Sequence, residues 1–252
     1  MADPDEGVAA DGTIRTGARR DRVPALFEPV LTDAIASLDG ASLYVYGSVA
    51  NGTARPGSSD VDLLSIDLDG AAAIGQRLSV RYADRCRGVE VGAATAADMA
   101  GDSDAAYGLR VFLRHYCVHL AGPDPSAALP AFPAGTRAAR GFNGDIGQSL
   151  ARWRESETVP TDQLGTRLGR KTLLAVAGLV SVHDHTWTTD RSRAARRWSE
   201  VEPGLATQLG RLHAWATGER RASGEDIGEA LADDGIVAAI VERFSSLIGL
   251  WP

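Results

Sequence analysis

The stretch LYVYGSVANGTARPGSSDVDLL, residues 43–64, decides the reading of the first half of the chain. A β-branched and aromatic run ends at Tyr46-Gly47-Ser48, and after a spacer of eleven residues Asp60-Val61-Asp62 opens a second apolar run. Both runs have the composition of strands. A strand that stops at Gly-Ser and turns directly into a helix offers backbone N–H groups and a hydroxyl at the helix N-terminus, a seat for phosphate oxygens. Glycine lets the backbone approach such a ligand closely. Side chains two apart on a strand share a face, so Asp60 and Asp62 project together while Val61 and Leu63 face the other way. Two carboxylates held in this way repel unless a cation lies between them, and their hard oxygens suit Mg²⁺ with substrate phosphates completing its coordination. A third acid, Glu90, stands in GVEVGAAT (88–95), which reads as mid-strand. Buried acids are rare unless paired or metal-bound, so Glu90 is expected beside the first two, able to help hold metal and to accept a proton from an attacking hydroxyl.

Working outward, residues 24–38 place Leu26, Phe27, Val30, Leu31, Ile35 and Leu38 near helical spacing before Asp39-Gly40 breaks the pattern. Strands are expected over 42–47, 60–67 and 88–95, with a helix-length crossover between the last two. A core-facing helix follows over 105–121, marked by Leu109, Phe112, Leu113, Tyr116, Cys117 and Leu120. Residues 122–140 concentrate Pro, Gly and Ala and read as a connection. Beyond it the periodicity is helical over 144–155, 166–182, 190–198, 203–217 and 225–249, with no strand. The expected fold is an α/β domain, a mixed sheet flanked by helices over 23–133, followed by an all-α bundle over 134–252. Residues 1–22, charged and without an apolar core, read as a disordered leader with neither secretory signal nor anchor.

The 252 residues are 44% hydrophobic and 23% charged, near the globular average, and no apolar run approaches the ~18 residues of a membrane span. Two cysteines, Cys86 and Cys117, make neither a disulfide framework nor a zinc cluster, which favours the cytoplasm. The formal net charge of −7 disfavours sequence-independent binding to nucleic acid. Within it, residues 134–221 carry 14 basic and 9 acidic groups, a local surplus of +5.

The YGS corner, the eleven-residue spacer, DVD and the later VEV resemble the signature of the DNA polymerase β-like nucleotidyltransferase superfamily. Within it, LYVYGSVANGTARPGSSDVDLL, GVEVGAAT and VHLAGPDP look like segments of aminoglycoside adenylyltransferases of the streptomycin/spectinomycin type. TLLAVAGLVSVHDHTWTTDRSRAARRW resembles that group's later helix, turn and helix, where Arg191 matches its phosphate-binding lysine. The resemblance covers roughly residues 24–220. It implies in-line attack of an acceptor hydroxyl on the α-phosphorus of ATP or another nucleoside triphosphate, with pyrophosphate leaving and two Mg²⁺ ions stabilising charge. Asp60, Asp62 and Glu90 would be the catalytic and metal-holding residues, Gly47, Ser48 and Arg191 the nucleotide-binding ones. A small hydroxylated, aminoglycoside-like acceptor would lie between domains. The sequence departs from the group at Gly178, where the group has an arginine, and at Leu168 and Gly169, where it has acids that grip a polycationic sugar.

Other features read as structural. His115 and His119, four apart with Cys117 between, lack a third ligand at matching spacing and are expected to pack or face solvent. His183-Asp184-His185 reads as a polar loop, and Trp187, Trp198 and Trp215 as bundle core. Two further readings stand beside the small-molecule enzyme: a nucleotidyltransferase acting on a protein or tRNA, supported by the basic middle segment, and a catalytically silent nucleotide-binding module. The complete set of three acids argues against the silent module, because a cluster of negative charge is costly to keep.

Overall fold

The structure, a computed structural model, describes residues 3–155 and 159–252; residues 1–2 of the expected leader lie outside the described residues. The chain divides into two units, Met1–Pro133 and Ala134–Pro252.

The first unit begins with two short antiparallel strands, β1 (Gly7–Val8) and β2 (Ile14–Arg15). Residues 3–22 are therefore an ordered part of this unit, contrary to the leader expected from their charge. The reason is one apolar side chain and its backbone: Ile14 is buried, and its N–H donates to the Phe132 carbonyl at 2.9 Å. Helix α1 (Glu28–Ile35) follows, with Pro29 in its first turn, where a missing N–H costs nothing. Then come β3 (Ser42–Tyr46), the one-turn α2 (Gly47–Ala50), β4 (Val61–Ile66), α3 (Ala71–Arg81), β5 (Val89–Ala94), the one-turn α4 (Ala96–Met99), α5 (Asp104–Tyr116) and β6 (Val118–Ala121). The strands β5-β4-β3-β6 form one mixed sheet. β4 and β5 are parallel, joined by the α3 crossover, and the other pairs are antiparallel.

Alternation along the strands builds two cores. Leu43, Val45, Val61, Leu63 and Val89 pack on one face against Phe27, Val30, Leu31 and Leu78 of the α1 and α3 regions. Tyr44, Leu64 and Ile66 face the other way, toward Leu109, Phe112 and Leu113 of α5. Ser103 caps α5 by accepting from the Ala106 N–H.

The helix expected over 105–121 stops at Tyr116, and its last residues form β6, paired with β3. Cys117 is already extended, and the apolar residues after it alternate instead of continuing the helical stripe. Gly122 closes the strand at φ +79°, and a Cβ there would stand 2.1 Å from the Ala41 carbonyl oxygen, so only glycine lets the chain leave the sheet past β3.

The second unit is helical: α6 (Thr136–Asn143), α7 (Ile146–Arg154), α8 (Thr161–His183), α9 (Arg191–Val201), α10 (Ala206–Thr217), α11 (Gly224–Leu231) and α12 (Ile236–Leu247). α6 occupies part of the segment expected as connection, because Ala138 and Ala139 bury a small apolar face there. The single helix expected over 225–249 is interrupted at Asp233-Asp234-Gly235. α8 is the central element and carries Leu168, Leu173, Val176, Leu179 and Val180 into the core. Trp187, Trp198 and Trp215 are all buried, as expected of bundle core. No helix among the described residues is long and apolar enough to cross a membrane.

His115 has a structural role. Its Nε2 accepts from the Phe132 N–H at 2.9 Å, and its carbonyl accepts from the Thr16 hydroxyl. Burial first, and the neighbouring Arg114 second, hold the imidazole down at about 4. The unfolded chain takes up this proton near pH 6.5 and the folded chain only near 4, so stability falls as pH drops through that window. The expected loss from His115 is about 2 kcal/mol by pH 5. Urea unfolding at pH 7 and pH 5 should show it, and His115→Gln should flatten that part of the slope.

Candidate active site

The strand registers place a row of polar side chains across the sheet. Tyr46 of β3 is opposite Asp62 of β4, and Asp62 is beside Glu90 of β5. Directly paired residues share a face, so Asp62 and Glu90 stand side by side where the apolar cover of α5 gives out. Asp60 immediately precedes β4, two residues before Asp62 and on the same side by alternation. Glu90 is exposed, not buried as its Val-Glu-Val setting suggested. β5 is the edge strand of the sheet, and the alternation that buries Val89 turns Glu90 outward.

Tyr46 forms the floor of this row. Its ring packs edge-on against Phe112, with centroids 5.0 Å apart. Burial, then the charge of Asp62, then Cys117 and Glu90 push its phenol above the ordinary range, so it stays protonated at neutral pH.

The Gly-Ser corner lies directly against Asp62. Gly47 begins α2 at φ +68°, and a Cβ on it would stand 2.6 Å from Asp62 Oδ2. Glycine is thus required twice at this point, by the left-handed backbone and by the carboxylate. Ser48, partly buried, follows in the first turn, where helix N–H groups lack intrahelical acceptors. Its carbonyl accepts from the Thr53 and Ala54 N–H groups at 2.9 and 3.0 Å and so ties the spacer back onto the corner.

Sequence reasoning passed over Arg87. Its Nε donates to Asp60 Oδ1 at 2.9 Å and its Nη2 to Asp60 Oδ2, a two-pronged ion pair. The pair holds the guanidinium above its usual range, chiefly through the Asp60 hydrogen bond, with the charges of Asp60, Asp62 and Glu90 adding to it. All three acids therefore act on one cation. Arginine is abundant in this chain, where Lys171 is the sole lysine among 26 basic residues, so nothing in the spacing distinguishes Arg87.

Among the described residues no group of three His, Cys, Asp or Glu side chains is arranged to hold a metal ion, and Asp60 is turned to Arg87. The donors nevertheless fit a hard divalent cation in kind and in strand position. They are carboxylate oxygens on adjacent positions of one face, beside a glycine whose missing side chain keeps Asp62 Oδ2 clear.

In the second unit, Arg191 opens α9, exposed, and its Nε donates to the Arg170 carbonyl at 3.2 Å. Asp190 caps that helix through the Ser192 and Arg193 N–H groups. The departures at 168, 169 and 178 are packing positions. Leu168 is fully buried, a Cβ on Gly169 would stand 2.5 Å from the Leu212 carbonyl oxygen, and one on Gly178 would stand 3.2 Å from the Phe244 ring. Neither acids nor an arginine could occupy them without separating α8 from α10 and α12. Asp184 is claimed by Arg197 and His183, which hold its carboxyl at about 2, so Asp184 has a structural role in tying this turn to α9.

Residues 30–70, which run from within α1 through β3 and the Gly-Ser corner to just past β4, match the family described as "Nucleotidyltransferase domain". The Gly-Ser corner, Asp60 and Asp62 lie inside the matched segment, and Glu90 lies beyond it. Among solved structures it is similar to the crystal structure of spectinomycin adenyltransferase AAD(9) from Enterococcus faecialis with ATP and spectinomycin, at 11% identity and a TM-score of 0.48. That alignment covers 89% of this chain and 97% of that one. No curated protein matches.

Gly47→Ala should cost about 1–2 kcal/mol for the left-handed backbone alone, measured by urea unfolding. The new methyl should also displace the Asp62 carboxylate and lower nucleotidyl transfer more than tenfold in protein that retains native circular dichroism.

Proposed function

We propose that the chain transfers a nucleoside monophosphate, AMP from ATP in the first instance, onto a hydroxyl of a small acceptor, with an aminoglycoside-like molecule as the leading candidate. The observation that carries this reading is the Asp62–Glu90 register beside Gly47, with Gly47 and Asp62 inside the segment that matches a nucleotidyltransferase domain.

Asp60, Asp62 and Glu90 would hold two Mg²⁺ ions, which when bound would offset the negative charge of the triphosphate and of the leaving pyrophosphate. Asp62 is suited to the central place, fixed by Tyr46 on one side and Glu90 on the other. Glu90, exposed at the sheet edge, is suited to meet an acceptor hydroxyl and take its proton. Gly47 and Ser48 would receive β- and γ-phosphate oxygens on first-turn N–H groups and the serine hydroxyl. Arg191 enters on the resemblance alone, as a cation for the same phosphates. The acceptor class likewise rests on the resemblance, and the packing roles of Leu168, Gly169 and Gly178 argue for an acceptor gripped by other residues than in that group. Cytoplasmic placement rests on the two unpaired thiols, Cys86 and Cys117.

Label transfer from α-labelled ATP, with mass spectrometry across a panel of acceptors, tests the reading. Asp60→Asn and Asp62→Asn should each lower transfer well beyond tenfold, more than ~1.4 kcal/mol in barrier. Glu90→Gln should retain nucleotide binding and lose turnover. Wild-type rates in any of these folded variants would remove that residue from the chemistry.

A further inference from the structure

Arg87 stands in the loop before β5, three residues ahead of Glu90, and its N–H donates to the Ser59 carbonyl at 3.0 Å. The backbone is thus anchored beside Asp60 while the side chain is 59% exposed. Its guanidinium covers both oxygens of Asp60, whose side chain is 21% exposed, and lies in the field of Asp62 and Glu90. A planar fork on a carboxylate is a well-directed contact, yet one so open to water is weak and readily exchanged.

Resting on the function proposed above, we infer that Arg87 is a displaceable internal cation of the acid row. It competes with the divalent ion for Asp60 and makes binding of that ion depend on the triphosphate. The argument is one of shared oxygens and charge. With the guanidinium on both oxygens, Asp60 offers a divalent cation only its remaining lone pairs, directly beside a positive charge. A bare cation must therefore either bind against that charge or displace the guanidinium into water, with two positive groups close together in both cases. A cation that arrives with a triphosphate brings anionic oxygens to which the released guanidinium can turn, so the eviction is offset. Arg87 acts on the reaction through Asp60 and is a positioning residue.

Mn²⁺ binding followed by electron paramagnetic resonance, with and without a non-hydrolysable ATP analogue, tests this apart from turnover. The proteins are the full-length wild type, Arg87→Gln, Arg87→Lys and Asp60→Asn, each shown folded by thermal melting in chelator. The wild type should bind Mn²⁺ weakly alone and at least tenfold more tightly with the analogue. Arg87→Gln should bind Mn²⁺ alone at least fivefold more tightly than wild type and gain less from the analogue. Arg87→Lys, which keeps the charge without the fork, should fall between them, and Asp60→Asn should bind poorly throughout. Equal Mn²⁺ affinity in wild type and Arg87→Gln, with Asp60→Asn impaired, overturns the role of Arg87 and leaves the proposed function standing. No Mn²⁺ binding by any of the four, with or without the analogue, overturns the proposed function and the role of Arg87 with it.

Discussion

Like charges held close together at one end of a sheet face are the constraint on which this protein depends. Asp62 and Glu90 are neighbours by strand register, Asp60 precedes them by one alternation, and no rearrangement of side chains alone can carry them far apart. Positive charge beside such a row offsets its repulsion. In the fold that charge comes from Arg87. The rest of the first unit serves to fix the row. The parallel β4–β5 pair sets the register, α5 covers the face up to the point where Tyr46 floors it, and Gly47 gives way to the Asp62 carboxylate.

Much of this was legible in the chain. Period-two alternation with β-branched and aromatic residues marks β3, β4 and β5 to within a residue or so, and the Gly-Ser corner marks where β3 becomes helix. The shared side of Asp60 and Asp62 follows from strand geometry alone. What was not legible depends on tertiary partners. β6 looks like the last turn of α5 because Leu120 fits a helical stripe, and only the pairing with β3 selects the strand. The exposure of Glu90 depends on β5 being the edge strand, which no local pattern states. The order of residues 3–22 depends on burial of Ile14 and its bond to Phe132, more than a hundred positions away. Arg87 was invisible because a single arginine in an arginine-rich chain acquires meaning only from the carboxylate it meets.

The helical unit was legible in outline and not in detail. Its tryptophans announce a core, whereas the break at Asp233-Asp234-Gly235 divides what periodicity alone presents as one helix. Positions 168, 169 and 178 show packing at close quarters: small or apolar residues there let α8 approach its neighbours closely, and charged side chains would have no room.

The central claim is that Asp60, Asp62 and Glu90 together present a divalent cation to a triphosphate. Its most direct measurement is a crystal structure grown with Mn²⁺ and a triphosphate non-hydrolysable between the α- and β-phosphates, with anomalous scattering used to place the metal. The account predicts manganese between Asp62 and the phosphates, Asp60 turned from Arg87 to the metal, and the β- or γ-phosphate at Gly47-Ser48. Triphosphate bound elsewhere, or manganese absent from the row with Arg87 still on Asp60, would contradict it.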